Sequence, residues 1–306
     1  MKKIHQHYVP RFYLKAWATH EQIYCLRNGK IFRTRLVNVA NEKYFYRLRD
    51  LTAQDIRVIE ELAIKSSPPS LQPLHRNLVT MLTLPLNMKN SVDNSHPLYR
   101  EFCAELDKVE ANMEEDYHAA IEQGLQPAIA AMLAGNIEFY TDEEAACEFF
   151  YAMATQYMRT KNIREAVVSR SALRLDGYDI NRAWNVLSHI FATNVGWSLF
   201  RDRSLFRIVL LDNPFDTPLI TGDQPIINLH ANLVQDAVPE KMEWFYPLSS
   251  SKAMLLVEAG NTQYPAHTLL VREEVERYNV LIAKNSYEQL FSNSEESLER
   301  MKSYLG

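Results

Sequence analysis

Residues 1–17 read MKKIHQHYVPRFYLKAW, and this stretch indicates how the amino terminus relates to the fold. An ordinary chain terminus is polar and poorly ordered. This one alternates charged residues with large aromatic residues such as Tyr8, Tyr13 and Trp17. Because aromatic side chains bury large areas when they pack, we expect the segment to be built into the body of the protein.

The same segment carries two imidazoles followed by two cations. His5 and His7 are two residues apart, so their side chains share one face if the segment is a strand. We predict that they are catalytic residues or metal ligands, and that Arg11 and Lys15 bind substrate. Two histidines supply only part of a metal site, so further ligands would come from elsewhere in the chain. The alternative is that one imidazole packs among aromatic rings and the other faces water.

Composition excludes several classes of protein. The chain has 306 residues and a net charge of −5, so contact with nucleic acid would require a local basic patch. It has only 8 glycines and neither GxGxxG nor GxxxxGK[ST], which excludes the common phosphate-binding loops. The chain has 3 cysteines, and no two of them form a CxxC motif. This pattern indicates reduced thiols in a cytoplasmic protein. We expect no signal peptide and no membrane span, because long apolar runs are absent.

Strand patterns occur at both ends of the chain and helical patterns in its middle. Asn28-Gly29 between apolar runs at 23–26 and 30–32 predicts a hairpin. Thr52 is predicted to cap a helix that ends before Pro68. Helices are expected at 98–123, 141–169, around 184–191 and at 268–285, and strands at 205–211, 218–221, 245–248, 253–257 and 288–292.

This order predicts an α+β fold, in which one mixed or antiparallel sheet is formed from both chain ends and the helical middle packs on it. We expect a single domain over residues 1–306, with an amino-terminal strand part at 1–65, helices at 97–200 and a strand-rich part at 205–306. Two domains are the alternative, but no linker-like stretch marks a boundary.

Polar residues interrupt the apolar stripe of the helix predicted at 141–169. The stripe has helical spacing and consists of Phe149, Met153, Gln156, Thr160 and Ile163. Buried polar groups need partners, so we predict that Gln156, Thr160 and the neighbouring Arg159 face a polar pocket and bind substrate. The alternative is that Arg159 extends to water and Gln156 bonds to a backbone carbonyl.

A carboxylate follows one of the predicted strands, in the sequence Thr221-Gly222-Asp223-Gln224-Pro225. A rigid strand end is a common position for a catalytic or metal-binding carboxylate. We therefore take Asp223 as a catalytic residue and, with His5 and His7, as a candidate ligand of a divalent metal. The alternative is an Asx-turn within the loop.

Weaker candidates lie on the first long helix. Glu114 and His118, and His118 and Glu122, are i,i+4 pairs that could hold a metal ion. Such pairs are more often solvated salt bridges, so we expect these pairs to face water.

Residues 5–15 resemble the opening of a bacterial family, domain of unknown function 4238, whose members commonly begin His-His-Tyr-Val-Pro-(Arg/Gln)-Phe-Tyr-Leu. The resemblance continues at residues 42–46, Gln156-x-x-Arg159-Thr160, Thr221-Gly222-Asp223-x-Pro225, 247–249 and Asn279. Many members carry serine where this chain has Gly222, so a hydroxyl role at that position is not carried over. The resemblance implies a site built from these segments and supplies no activity.

Two functional hypotheses follow. In the first, the chain is a hydrolase of phosphoesters, a nuclease or a nucleotide phosphodiesterase in a bacterial defence setting. The predicted histidines would act as acid and base, the arginines would hold phosphate oxygens, and Asp223 would orient a histidine or bind a divalent metal. Nucleic acid or a nucleotide would be the partner. In the second, the chain is a binding or interaction protein, and the same His/Arg/Asp cluster is a structural network.

Overall fold

Short strands and a hairpin occupy the amino-terminal part of the chain. A computed structural model describes residues 5–46, 50–172, 180–231 and 241–305, without the side chains of 170–172. The first elements are β1 (His5–His7), α1 (Arg11–Leu14), β2 (Gln22–Arg27), β3 (Lys30–Arg35), β4 (Asn41–Lys43) and α2 (Ala53–Val58), which continues as a π-helix over Ile59–Ile64.

The predicted hairpin and the predicted helix cap are both confirmed. Asn28 and Gly29 have φ of +52° and +68°, the left-handed conformations that a type I′ turn requires between β2 and β3. Thr52 and Asp55 form a reciprocal capping box at the start of α2.

Within the described residues, five α-helices form the middle of the chain, and their bounds differ from the prediction. They are α3 (Gln72–Ser91), α4 (Tyr99–Leu133), α5 (Glu143–Met158), α6 (Lys161–Ala172) and α7 (Ile180–Arg201). The prediction did not include α3 and ended α4 too early. The helix predicted at 141–169 is two helices that meet at Arg159 and Thr160. The side chains of both residues bond to groups outside their own helices.

The carboxy-terminal part contains most of the strands. Its elements are β5 (Phe206–Asp212), β6 (Thr221–Gly222), β7 (Ile227–Asn228), β8 (Trp244–Pro247), β9 (Lys252–Glu258), β10 (His267–Leu269), α8 (Arg272–Asn285), β11 (Gln289–Ser292) and α9 (Glu295–Met301). The predicted strands at 205–211, 245–248, 253–257 and 288–292 therefore correspond to β5, β8, β9 and β11, and Thr268 lies in β10 rather than in a helix.

The α+β prediction is confirmed, although the described strands form three sheets rather than one. A four-stranded antiparallel sheet in the order β3-β2-β11-β6 combines both chain ends. A five-stranded sheet in the order β10-β5-β9-β8-β7 is mixed, because β10 runs parallel to β5. Strands β1 and β4 form an antiparallel pair.

The five-stranded sheet lies between two apolar layers. On one face, Leu210 and Tyr246 pack in a core that also holds Phe150 of α5 and the amino-terminal aromatics. On the other face, Phe245 stacks on Tyr278 of α8, with ring centroids 4.3 Å apart. Successive side chains of each strand point to opposite faces, so both faces of the sheet are covered by apolar layers.

The amino-terminal segment from residue 5 to residue 17 is built into this core, as predicted. The Trp17 indole Nε1 donates to the Leu219 carbonyl at 2.8 Å, and the Tyr13 hydroxyl donates to the Pro247 carbonyl at 2.8 Å. Gln6 is fully buried, and its side-chain amide donates to the Ala111 carbonyl of α4 at 3.1 Å. The Gln6 bond holds β1 beside α4, which positions the candidate site. Among the described residues, no helix combines the length and apolar character needed to cross a membrane.

Candidate functional site

A polar cavity of about 240 Å³ lies between the amino-terminal segment and one face of α4. His7 and Arg11 line it on the amino-terminal side. The helix contributes Glu115, His118 and Glu122, which lie three or four residues apart and therefore share a face.

His7 faces this cavity, whereas His5 does not line it. Gln6 points inward between them, so the two histidines share the opposite face of β1, as predicted. His5 is exposed, and its Nδ1 lies 3.2 Å from the Asn41 Oδ1. The Nε2 of His7 is buried without a hydrogen-bond partner. Burial lowers the pKa of His7 to about 4, and the positive charges of Arg11 and Arg159 act in the same direction. The imidazole of His7 is therefore neutral at pH 7.

The two predicted amino-terminal cations differ in position. Arg11 lines the cavity with a half-exposed side chain, and its Nη2 lies 3.7 Å from Glu21. Lys15 is 57% exposed, and its Nζ lies 3.0 Å from the same carboxylate. Lys15 is not among the residues that line the cavity, so the structure brings only Arg11 to His7.

Gln156 and Arg159 form a buried network behind the cavity. The Gln156 Nε2 donates to the Tyr8 carbonyl at 3.0 Å. The Arg159 Nε donates to the Gln156 Oε1 at 3.0 Å, and its Nη2 donates to Glu122 at 2.8 Å. Arg159 is only 4% exposed. Arg159 therefore affects the cavity only through its bond to Glu122, which lines it. Gln156 anchors the amino-terminal segment.

Thr160 and Asp223 bond to other parts of the protein. The Thr160 hydroxyl donates to the side-chain oxygen of Gln224. Asp223 is 1% exposed and accepts backbone N–H bonds from Tyr287, Glu288 and Gln289 at 2.7, 2.8 and 3.0 Å. Burial raises the pKa of Asp223 to about 6, whereas the three N–H donors act to lower it. The carboxylate holds the turn before β11 and does not line the cavity.

A second cluster lies in the core beside the cavity. Glu114 and His118 of α4 meet His189 of α7, and all three side chains are buried. The Glu114 Oε2 lies 3.0 Å from the His189 Nε2 and 3.8 Å from the His118 Nε2. The interpretation of Glu114 and His118 as a solvated pair is therefore wrong.

Burial disfavours charge on two side chains of this cluster, those of Glu114 and His118. Burial holds the pKa of His118 well below its usual range, and Arg159 and His189 add to the effect. Burial also raises the pKa of Glu114, although His189 opposes the shift. The Oε1 of Glu114 and the Nδ1 of His118 have no hydrogen-bond partner.

His5, His7 and Asp223, the predicted metal candidates, do not form a group of this kind within the described residues. His189 was not among the predicted site residues. The available signal was a histidine among the apolar positions of α7, since Trp184, Leu187 and Ile190 are all buried around it.

Comparison with known proteins identifies the family and no activity. No curated protein and no solved structure matches this chain. The family model described as protein of unknown function DUF4238 matches residues 5–296. Because this match covers nearly the whole chain and begins at the histidine pair of β1, the chain belongs to the DUF4238 family.

Proposed function

We propose that this chain hydrolyses phosphoesters in the cavity between its amino-terminal segment and α4, as a nuclease or a nucleotide phosphodiesterase. The observation that carries the proposal is that His7 and Arg11 line the same cavity. A neutral imidazole with an unpartnered Nε2 lies in the same cavity as a half-exposed guanidinium. Bacterial defence remains the setting in which we expect such an activity.

The two residues suit different steps of hydrolysis. Arg11 can bind two phosphate oxygens through its planar guanidinium. His7 can accept a proton from the attacking water, because its imidazole is neutral. A phosphate anion bound beside His7 would favour the protonated imidazole and so raise its pKa toward the working pH. Asp223 has a structural role in this proposal.

The size of the cavity favours a small phosphoester or one segment of a single strand. Its volume is about 240 Å³, and the carboxylates of Glu115 and Glu122 lie opposite Arg11. Arg159 neutralises Glu122. Lys161 lies outside the cavity lining and is paired with Glu42 and Glu288 at 2.9 and 2.7 Å, so its charge is largely compensated.

The test is a hydrolysis assay with the purified full chain. The substrates are bis(p-nitrophenyl) phosphate, cyclic nucleotides, single-stranded DNA and RNA, each with and without Mg²⁺, Mn²⁺ or Zn²⁺. We expect His7→Ala to lower kcat by about 100-fold or more, and Arg11→Ala to raise KM. His5→Ala is the matched control, because it removes the same side chain from the same face of β1 outside the cavity. Absence of hydrolysis by the wild type, or a His7→Ala variant with wild-type rates, would refute the proposal.

A binding or interaction protein is the second candidate. Its supporting observation is that four of the predicted site residues form hydrogen bonds inside the protein through their side chains. These residues are Gln156, Arg159, Thr160 and Asp223. A folded wild type that hydrolyses none of these substrates, but retains a nucleotide through Arg11, would favour this candidate over the hydrolase.

A further inference from the structure

We propose that Glu114, His118 and His189 bind one divalent transition-metal ion in the core between α4 and α7, with zinc as the expected occupant. The site rests on the arrangement of these three side chains. Only the use of the ion in catalysis rests on the proposed function.

The donor atoms are already gathered. One donor atom from each residue lies within 4.8 Å of the other two. Zinc binds imidazole nitrogen and carboxylate oxygen at about 2.0–2.2 Å, so its ligand atoms lie roughly 3.3–3.5 Å apart in a tetrahedral site. The observed separations of 3.0 and 3.8 Å from Glu114 to the two histidines bracket that value. Small side-chain shifts would complete the geometry.

A purely structural hydrogen bond explains only part of the cluster. It accounts for the contact between Glu114 and His189. It does not account for His118, whose Nε2 is 3.8 Å from the carboxylate and whose Nδ1 has no partner. Nor does it account for the second carboxylate oxygen of Glu114, which is also buried and unpartnered. Buried polar atoms without partners are costly, and an ion bound between the three residues would compensate for burying them together.

The ligand types select the class of metal. Two imidazoles and one carboxylate suit zinc and other first-row transition metals, whereas magnesium and calcium prefer oxygen ligands alone. Three protein ligands also leave a coordination position for water or substrate, as in catalytic zinc sites.

His118 connects this cluster to the cavity. It is a member of the cluster and also lines the cavity with His7 and Arg11. A cation beside His118 would further reduce the negative charge on the α4 side of the cavity, where Arg159 already pairs with Glu122. In the proposed hydrolase, the ion would favour a bound phosphate through its charge alone, because Glu114 and His189 do not line the cavity.

The experiment measures metal content and stability in the full chain. The protein is stripped with a chelator, loaded with Zn²⁺, and passed over a desalting column before elemental analysis. We expect one zinc per chain, and a melting temperature about 5 °C or more above that of the stripped protein. Loading with Co²⁺ should produce the visible absorption of a four-coordinate ion.

Variants identify the ligands. Glu114→Gln, His118→Ala and His189→Ala should each lower zinc occupancy at least about tenfold, and Glu114→Gln keeps the shape of the side chain if the alanine variants fold poorly. His75→Ala is the matched control. His75 is also fully buried and has an unpartnered Nδ1, but its Nε2 bonds to Asn194 outside the cluster. We expect this variant to retain one zinc per chain.

Two results would overturn the inference. One is a wild type that binds none of Zn²⁺, Mn²⁺, Fe²⁺ and Co²⁺, and the other is full occupancy in the Glu114, His118 and His189 variants. The inference and the proposed function fail separately. A chain that binds zinc but hydrolyses no phosphoester keeps the metal site and refutes the hydrolase. A chain that hydrolyses phosphoesters but binds no metal keeps the hydrolase and refutes the metal site.

Discussion

Replacing Asp223 with alanine is expected to destabilise the protein by about 4 kcal/mol, because its carboxylate holds the turn between α8 and β11. Three consecutive backbone N–H groups, those of Tyr287, Glu288 and Gln289, donate to its two oxygens. The backbone N–H of Asp223 also donates to the Gln289 carbonyl at 3.0 Å. Asp223 therefore bonds to the start of β11 through both its backbone and its side chain.

The magnitude follows from these bonds. A hydrogen bond to a charged group contributes about 1.5–3 kcal/mol net. Three such bonds would contribute roughly 4.5–9 kcal/mol, and we adopt about 4 kcal/mol, near the lower bound, because burial opposes the charged form of Asp223 and raises its pKa. Asp223→Asn should cost about 2 kcal/mol, because its amide oxygen can still accept two of the bonds while its NH₂ group meets the third donor.

Urea and thermal unfolding at pH 8, where the carboxyl is ionised, measure the effect. The expected fall in melting temperature for alanine is about 8 °C, at about 2 °C per kcal/mol for a chain of this length. Asp212→Ala is the control. Asp212 also ends a strand, but its carboxylate is one-third exposed and paired with Lys252, so its loss should cost no more than about 1 kcal/mol. If Asp223→Ala unfolds like the wild type but has lost hydrolysis, the structural argument is refuted and the predicted catalytic role is supported.

Two further predictions concern backbone packing and pH. A Cβ at Gly222 would lie 1.9 Å from the Ser286 Oγ, so Gly222→Ala should cost about 1–3 kcal/mol. Adding Ser286→Ala should recover part of that loss in denaturant unfolding, and strictly additive losses would contradict the steric explanation. The pKa of His7 is about 4 in the folded protein and 6.5 in the unfolded chain. Between pH 4 and pH 6.5, the imidazole is therefore protonated in the unfolded chain and neutral in the folded protein. Acidification from pH 6.5 to 4 should therefore remove about 3 kcal/mol of stability through His7, measured as the difference between the metal-free wild type and a variant without this imidazole. On acidification, the His7→Gln variant should lose correspondingly less stability, and the His5→Ala variant should lose as much as the wild type. Equal acid sensitivity in all three proteins would exclude His7 as the source of the loss.

Local signals in the sequence predicted the parts of the fold that depend on neighbours in the chain. Asn28-Gly29 predicted the hairpin because few other dipeptides adopt two positive φ angles. The stripe from Phe149 to Ile163 is buried at all five positions, although a break at Arg159 and Thr160 divides it between two helices. Side chains bonded across the fold decide that break, and helical periodicity carries no information about them.

The candidate site was only partly predictable for the same reason. The sequence indicated that His7 and Arg11 share a functional surface, because a strand and a short turn bring them together. It gave equal prominence to Lys15 and Asp223, which the structure places outside the cavity lining. It ranked Glu114 and His118 too low, since an i,i+4 pair looks the same in sequence whether it faces water or the core.

The sequence by itself determined the α+β class, the hairpin, the burial of the amino-terminal aromatics and the family, since each depends on residue types at short spacing. Only the tertiary structure decided that the strands divide into three sheets in the described residues, that Asp223 serves a turn, and that His189 meets Glu114 and His118. The physical reason is that these outcomes depend on packing between segments roughly 60 to 260 residues apart in the chain. Contacts at such separations follow from the burial of whole helix and sheet faces, and no local pattern records them.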